Sequence, residues 1–474
     1  MAGLNITSEQ FRSVMQNLQT RYVKLELLNQ DFQTVDNLEG VVTSGSINID
    51  ANADIRRTAN LTMVVDNSSF EVKSGNRIWL ERYVKIWVGI YSLTAQETQW
   101  TNCGIYIIDA PSYSFDAATN TLSVTLLDLM AKLTGERNGY LPALPVILSA
   151  GENIRGAIID TLALGGFKKH IVEEAPSPGV IPNDLEFNQG STIFDLLQGL
   201  RDIYPNYEMF FDVNGTFFYK EIPSGNNDPI MVDDTLWDNI VSNETIDVDF
   251  QNVKNSIEVY GRTHDPAYFS PNTSVSGNTI SLNIAGLDKL NEGDMYGFTL
   301  KDNPGYRNMN IRINSFGTMP LRMSDGVTSA RIEAEGGEVY FCILNRGNYM
   351  EFLGHVQAYG FAEDTNRNSP FYVNGPVGKI RLPLVGGEYA NCYSDELAQE
   401  RAEYELYLHT NMNNSVTLTC VPVPWLDVNI KVSYTPKRAK EPEQYMIKSI
   451  SFGLSPQESM SINMVKFYPF VPEN

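Results

Sequence analysis

Cysteine is scarce in this sequence, and its few copies are widely separated. The 474 residues include four of them, Cys103, Cys342, Cys392 and Cys420. They form no CxxC pair, which argues against a zinc site or a disulfide framework. We therefore expect buried free thiols in a chain made in the cytosol.

Signatures of catalysis are also missing. The four histidines, at 170, 264, 355 and 409, have no paired metal-binding spacing. There is no phosphate-binding GxxxxGK[ST] loop, no GxGxxG after a strand and no GxSxG elbow. Fifty-seven carboxylates would give a glycosidase-like pair by coincidence. We predict that the protein is not an enzyme, with no catalytic, cofactor-binding or metal-binding residues and no cofactor.

Positive charge and long apolar runs are lacking too. The net charge is −22, from 35 Lys and Arg against 57 Asp and Glu, so a grip on DNA or on anionic membranes is not expected. Such a balance suits a surface past which DNA slides without sticking. The sequence has no run of eighteen apolar residues, so no membrane span is expected. No signal peptide is expected either, because polar residues lie where its apolar region would have to be: Ser8, Glu9, Gln10, Arg12 and Ser13.

What the sequence does have is the composition of a mainly β protein of about three domains. Thr7 and Gln10 form a capping box for a short N-terminal helix that ends at Leu18. Six strand-like runs between residues 21 and 128 then predict a compact antiparallel barrel or sandwich. Within them, Arg56 and Arg57 could form an anion site, but we favour exposed pairing with acidic neighbours.

The segment from Leu127 to Pro223 predicts an α+β domain. A weak helix is expected over 127–135, and a second over ENIRGAIIDTLALGG with a Gly165-Gly166 stop. A third helix, STIFDLLQGLRDIYP, has Ser191 as its expected cap. Asn214-Gly215 lies between two aromatic runs and predicts a hairpin. The Asp212-Val-Asn214-Gly215 stretch lacks the remaining ligands of a calcium loop, which supports the hairpin reading.

Further along, residues 277–360 contain short strand-like runs at regular spacing. They predict a small β-sandwich or barrel inserted into the chain, with a weak helix at 284–290. The last stretch begins with a helix capped by Ser394, in which Leu397, Tyr404 and Leu408 recur at helical spacing beside two alanines. Strand-like runs follow it, so we expect this helix to lie on the sheet that they form.

The C-terminal stretch resembles a module of bacteriophage tail hub proteins. The shared order is an LAxxRAxxEL helix, a Pro-x-Leu-Asp-Val-Asn segment, a Tyr-x-Ile-Lys-Ser-Ile-Ser strand and a closing Met-x-Ile-Asn. The matching positions are Leu397, Ala398, Arg401, Ala402, Pro424, Leu426, Asp427, Val428, Asn429, Tyr445, Ile447, Ser449 and Met460. The stretch PNDLEFNQGSTIFDLLQGLRDIYPNYEMFFDVNGTFFY resembles the second domain of these proteins, and the region from Gly45 to Val65 resembles their first tube-like domain.

The resemblance implies five parts. They are an N-terminal helical arm (1–19), a first tube-like β-barrel domain (20–126), an α+β domain with helix and hairpin (127–238), a second tube-like β domain with the C-terminal module (239–263 and 361–474), and an inserted β-sandwich module (264–360). The insertion departs from the simplest hub plan. It is expected to be structural bulk, with contact to neighbours or to host glycan as the alternative.

The function implied by the resemblance is that of a structural virion protein, made in the host cytoplasm and placed at the baseplate or tail tip. Two tube-like domains in each of three chains would give a threefold ring a sixfold face for the tail tube. The implied partners are two further copies, the tail tube, the distal tail protein, the tape measure protein and tip, spike or receptor-binding proteins. DNA would pass in transit through an acidic lumen, and no stable membrane insertion is expected. The alternative is a tail-tip cell-wall-degrading enzyme or a glycan-binding adhesin.

Overall fold

The chain folds as a mainly β protein, whose described residues form one large antiparallel sheet, one nearly closed barrel-like mixed sheet of eight strands, and three α-helices. The computed structural model describes residues 20–39, 41–65, 70–92, 96–115, 120–142, 145–176, 179–204, 206–238, 240–305, 308–334, 337–410 and 413–469. The helix expected before Leu18 lies outside these residues.

The large sheet has twelve strands, and seven of them come from the first part of the chain. These strands are β1 (Arg21–Leu28), β2 (Thr34–Glu39), β3 (Val42–Asp50), β4 (Arg57–Val64), β5 (Tyr83–Ser92), β6 (Glu97–Phe115) and β7 (Asn120–Asp128). They alternate inward apolar and outward polar residues, as β4 does with Ala59, Leu61 and Met63 buried. Burial of each large apolar side chain stabilises the sheet by about 1.5–3 kcal/mol.

The other five strands of this sheet come from the second half of the chain. They are β13 (Val241–Asp249), β25 (Asn413–Cys420), β26 (Lys431–Tyr434), β27 (Glu443–Gly453) and β28 (Met460–Lys466). The sheet runs β13-β25-β28-β27-β3-β4-β7-β6-β5-β1-β2, with β26 paired to β27. The two groups meet where Ile450 of β27 lies opposite Ile49 of β3. Residues that are hundreds of positions apart thus share one sheet and one core.

The helix-containing part follows β7 and packs around a second core, to which residues of β1, β5 and β6 also contribute. Its helices are α1 (Ile154–Leu164) and α2 (Ile193–Arg201), and its strands are β8 (Val146–Leu148), β9 (His170–Val172), β10 (Leu185–Phe187), β11 (Tyr207–Phe211) and β12 (Phe217–Glu221). The predicted hairpin is confirmed: β11 pairs with β12 through a turn in which Gly215 has a φ of +71°. The stop of α1 at Gly165 is confirmed as well.

Two local predictions in this part were wrong. The cap of α2 is Thr192, not Ser191, because the Thr192 hydroxyl accepts the backbone N–H of Asp195 while the Asp195 carboxylate accepts that of Thr192. The helix expected over 127–135 is only a 3₁₀ turn, Leu129–Lys132, which Asp128 caps. Further 3₁₀ turns are Asp234–Leu236 and Gly387–Asn391.

The third helix, α3 (Asp395–Thr410), begins where the Ser394 hydroxyl accepts the backbone N–H of Leu397, as predicted. It lies on the three-stranded sheet of β14 (Ser256–Thr263), β23 (Gln357–Glu363) and β24 (Arg381–Val385), not on the strands that follow it. Its fully buried residues are the two alanines, whereas Leu408 is exposed. The alanines are buried because the backbone of α3 approaches β23 closely. A Cβ at Gly360 of β23 would lie 2.0 Å from the carbonyl oxygen of Ala398.

The eight-stranded sheet lies between β14 and β23 in the sequence. Its strands are β15 (Tyr268–Ser270), β16 (Thr273–Ser276), β17 (Thr279–Leu282), β18 (Met295–Leu300), β19 (Asn310–Ile313), β20 (Thr318–Arg322), β21 (Val339–Asn345) and β22 (Met350–His355). The sequence predicts either a small sandwich or a barrel in this region. In the structure the strands form one nearly closed barrel-like sheet. The helix expected at 284–290 is absent, since these residues form a turn and irregular chain.

Candidate functional site

The arginine pair at the start of β4 lies at the junction of three parts of the chain. Arg56 and Arg57 are 4% and 2% exposed, so the expectation of exposed pairing was wrong. Each guanidinium forms an ion pair with a carboxylate far away in the sequence: Arg56 with Glu208 of β11, and Arg57 with Asp427 in the loop before β26. A buried charge is tolerated only when it is paired and hydrogen-bonded, so these pairs must be part of the fold.

Glu208 is the centre of this junction. Its carboxylate pairs with Arg56, lies 3.2 Å from the Lys220 ammonium on β12, and accepts a 2.7 Å hydrogen bond from the Asn429 side-chain amide. Asn429 in turn accepts a 3.0 Å hydrogen bond from the Lys448 ammonium on β27. One carboxylate therefore ties the first group of strands, the hairpin and the C-terminal strands together.

The pKa values at the junction follow from its burial and its charges. Burial alone would raise the pKa of Glu208, but the charges of Arg56 and Lys220 and two hydrogen bonds outweigh it and lower the pKa. Burial lowers the pKa of the Lys448 ammonium. Glu208 is therefore held as an anion by the cations around it, and its charge belongs to the folded state.

Arg57 adds a second set of contacts on the opposite side of the strand start. Its guanidinium donates to the carbonyl oxygen of Phe211 at 2.5 Å, and its backbone N–H donates to the Asp128 carboxylate at 2.9 Å. Burial raises the pKa of Asp128, although the backbone N–H groups of Arg57 and Met130 oppose that change. These contacts join the start of β4 to the end of β11 and to the end of β7.

A second junction joins the eight-stranded sheet to α3 through Asp395. This carboxylate accepts hydrogen bonds from the backbone N–H groups of His355 and Tyr359, each at 2.9 Å, and contacts Nδ1 of His355 at 2.6 Å. The neighbouring Glu396 accepts a 2.8 Å bond from the Ser324 hydroxyl. The hydrogen bond that His355 donates to the Asp395 carboxylate raises the pKa of His355, against the opposing effect of burial. The N-terminus of α3 therefore holds the base of the eight-stranded sheet.

His409 and the cysteines have structural surroundings. His409 lies in the last turn of α3, with Nδ1 2.6 Å from the carbonyl oxygen of Asn252. Three of the four free thiols are buried and that of Cys392 is half-buried, in line with the prediction of buried thiols. Among the described residues, no three His, Cys, Asp or Glu side chains are grouped to hold a metal ion. No helix within the same residues has the length and hydrophobicity of a membrane span.

Sequence reasoning missed both junctions. The two adjacent arginines are visible in the sequence, but their partners are distant. Arg56 and Glu208 are 152 positions apart, and Arg57 and Asp427 are 370 positions apart. The available signal was the low positive charge of the chain, which makes two adjacent arginines inside a β-strand pattern unusual. The buried ion pairs and hydrogen bonds of these junctions fix the relative positions of the packed parts.

The fold defined by these sheets and junctions is that of solved phage tail proteins. The chain is similar to the 43 kDa tail protein of prophage MuSo2 from Shewanella oneidensis, with a TM-score of 0.53 and 12% identity over 94% of this chain and 98% of that one. It is also similar to the tail protein from Neisseria meningitidis MC58, with a TM-score of 0.50 and 10% identity over 94% and 97% of the two chains. At these identities the likeness establishes a shared fold.

At the level of particular families, residues 368–471 match a domain of unknown function (DUF5048). This match spans α3, β24 and β25–β28, which is the region where the sequence resembles the C-terminal module of tail hubs. No curated protein matches the chain.

Proposed function

We propose that the protein is a non-enzymatic structural component of a phage tail, a hub whose three copies form a ring at the baseplate or tail tip. The observation that carries this proposal is the large sheet, in a chain that shares its fold with solved tail proteins. Eight consecutive strands of that sheet divide evenly: β13, β25, β28 and β27 from the second half of the chain, then β3, β4, β7 and β6 from the first.

This division supports two tube-like segments in each chain. Three chains would then contribute six such segments, which lets a threefold ring match a sixfold tail tube. In this proposal the first tube-like domain covers 20–126, the α+β domain 127–238, and the second tube-like domain 239–263 and 361–474. The N-terminal arm would be 1–19, and the inserted module would be 264–360.

The buried junctions support a mechanical role. A ring that transmits load between a tail tube and a tip needs parts that keep their relative positions. The Glu208 network fixes the hairpin against both groups of strands, and the Asp395 contacts fix the eight-stranded sheet on α3. Both junctions use charge-assisted hydrogen bonds, which are stronger and more directional than neutral ones.

The proposal also names partners and location. The ring would bind the tail tube and distal tail protein on one side and seat tip, spike or receptor-binding proteins on the other, with the tape measure protein and then DNA passing through its centre. The protein would be made in the host cytoplasm and reside in the virion, without stable insertion in a membrane.

The mass of the purified protein in solution tests this function. One chain has a mass of 53.1 kDa, so a ring of three copies has a mass of about 159 kDa by native mass spectrometry or light scattering. The same preparation is then incubated with peptidoglycan. A trimer without hydrolysis supports the hub. A monomer that releases soluble muropeptides contradicts it and favours a tail-tip enzyme, whereas a monomer that binds glycan without cleavage favours an adhesin.

A further inference from the structure

One face of the large sheet is almost free of charge. We call it the hydroxyl face and define it as the outward-facing residues of the eight consecutive strands from β13 to β6. One row across six of these strands contains only short hydroxyl and amide side chains, paired in register: Asn243, Thr419, Ser461, Ser451, Asn48 and Thr58. The opposite face of the same strands is mainly apolar and supplies much of the core.

A second row continues this chemistry over the first group of strands. Ser44 of β3 lies opposite Thr62 of β4, which lies opposite Ser123 of β7 and then Ser112 of β6. Ser112 and Ser123 are exposed, and Thr62 is half-buried. The two groups of strands therefore present the same kind of uncharged surface in these rows.

Side chains on this face bond to one another. The Ser451 hydroxyl donates to the Asn48 side-chain oxygen at 2.6 Å, and the Asn463 side-chain amide donates to the Thr417 hydroxyl at 3.1 Å. At these positions the side chains satisfy one another, which leaves fewer free donors and acceptors for a bound ligand.

The lack of charge is selective. The chain carries 57 acidic and 35 basic residues, yet the two rows contain none of them. Charged residues of the face lie outside these rows: Asp50 and Asp247 near strand ends, and the exposed Asp109 at the bulge of β6. Beyond β6 the outward side of the sheet becomes charged, with Lys24, Glu26 and Lys85 on β1 and β5.

We infer that the hydroxyl face is the wall of the DNA channel in the assembled ring, and that it passes DNA because its two rows of hydroxyl and amide side chains carry neither sign of charge. The inference rests on the proposed hub function and replaces the acidic lumen expected from net charge. Lysines on a channel wall would bind phosphates and release counterions, which slows transit. Carboxylates would repel the same phosphates. A neutral hydroxyl surface does neither.

The position of the face is tested by thiol labelling of the trimer. Ser461→Cys and Ser123→Cys place a thiol on the hydroxyl face, and Ser274→Cys places one on exposed β16 of the eight-stranded sheet as a control. The wild-type chain measures labelling of the native thiols. We expect a small maleimide to label all three variants, and a maleimide on a polyethylene glycol wider than the channel to label only the control.

The outcomes separate the inference from the function on which it rests. Equal labelling of the trimer by the bulky reagent at all three positions overturns the channel assignment while leaving the hub intact. Failure of even the small reagent on the face also overturns it, because the face would then be covered by protein. A preparation that is not trimeric refutes the proposed function itself.

The role of neutrality is tested by adding charge. Thr417→Lys with Ser461→Lys gives the trimer six lysines on the face, and Ser274→Lys with Ser276→Lys adds the same number on β16. We expect the first variant to bind a short DNA duplex at least about tenfold more tightly than wild type at low salt, with an affinity that falls steeply as salt rises. The β16 variant should bind like wild type. Tight, salt-dependent binding by the wild-type trimer would overturn the inference.

Discussion

Replacing Glu208 by glutamine probes the junction at its centre. The substitution keeps the shape of the side chain and one acceptor oxygen for Asn429, but it removes the negative charge. Arg56, which is 4% exposed, then has no counterion, and Lys220 loses its partner 3.2 Å away. The folded state must hold a buried cation that the unfolded state solvates freely.

The size of the effect follows from this loss. Removal of one partner from a buried ion pair costs about 3–5 kcal/mol, and the retained amide contact places Glu208→Gln at about 3 kcal/mol. With an unfolding entropy of about 2.1 cal/mol/K per residue over 474 residues, a single cooperative transition would shift its midpoint by about 3 °C. Urea unfolding gives the free energy and calorimetry gives the midpoint.

The pH dependence provides a second measurement on the same variant. Because the folded-state pKa of Glu208 is lowered, its contribution to stability is present above the unfolded value of about 4.5 and is lost as the pH falls through the folded pKa. The stability of the Glu208→Gln variant should therefore lack this part of the decrease that wild type shows at low pH. Glu441→Gln, at an exposed position, is the control and should stay within about 0.5 kcal/mol of wild type. Equal stability of the Glu208 variant and this control would refute the reasoning.

Three further predictions concern other parts of the chain. Gly360→Ala should destabilise the packing of α3 by about 1–3 kcal/mol, because the new methyl group would overlap the Ala398 carbonyl; unchanged urea unfolding would contradict this. His355→Gln should flatten the pH dependence of stability. Because the pKa of His355 is raised in the folded state, its pairing with Asp395 stabilises the protein fully below pH 6.5, and this contribution is lost as the pH rises through the folded pKa. Unfolding measured at pH 6 and at pH 8, for the variant and for wild type, tests this. Burial raises the pKa of the Cys420 thiol to about 12, so a thiol reagent should modify it only after denaturation, and rapid reaction in the native protein would be the opposite result.

Much of the local structure could be predicted from the sequence because local chemistry decides it. The β11–β12 hairpin follows from Asn214-Gly215, since glycine tolerates the positive φ that the turn requires. The end of α1 follows from Gly166, which comes directly after the cap residue Gly165 and has a φ of +79°. In these places the neighbours that determine the structure lie within a few residues along the chain.

The candidate site could not be predicted in this way, because its partners are distant in sequence. Nothing near Arg56 indicates that Glu208 will neutralise it. The packing face of α3 was misjudged for a related reason: leucine spacing suggests an apolar stripe, but a glycine on β23 lets the helix backbone approach through its alanines. The shared sheet of first and last strands depends likewise on pairing between β3 and β27, which no local pattern encodes.

The most direct test of the central claim is an image reconstruction of the purified protein by electron cryomicroscopy. The hub proposal predicts a closed ring of three chains, in which β13-β25-β28-β27 and β3-β4-β7-β6 alternate around a continuous inner wall with near-sixfold appearance. A single chain in solution, or a ring whose inner wall is built from other strands, would contradict it.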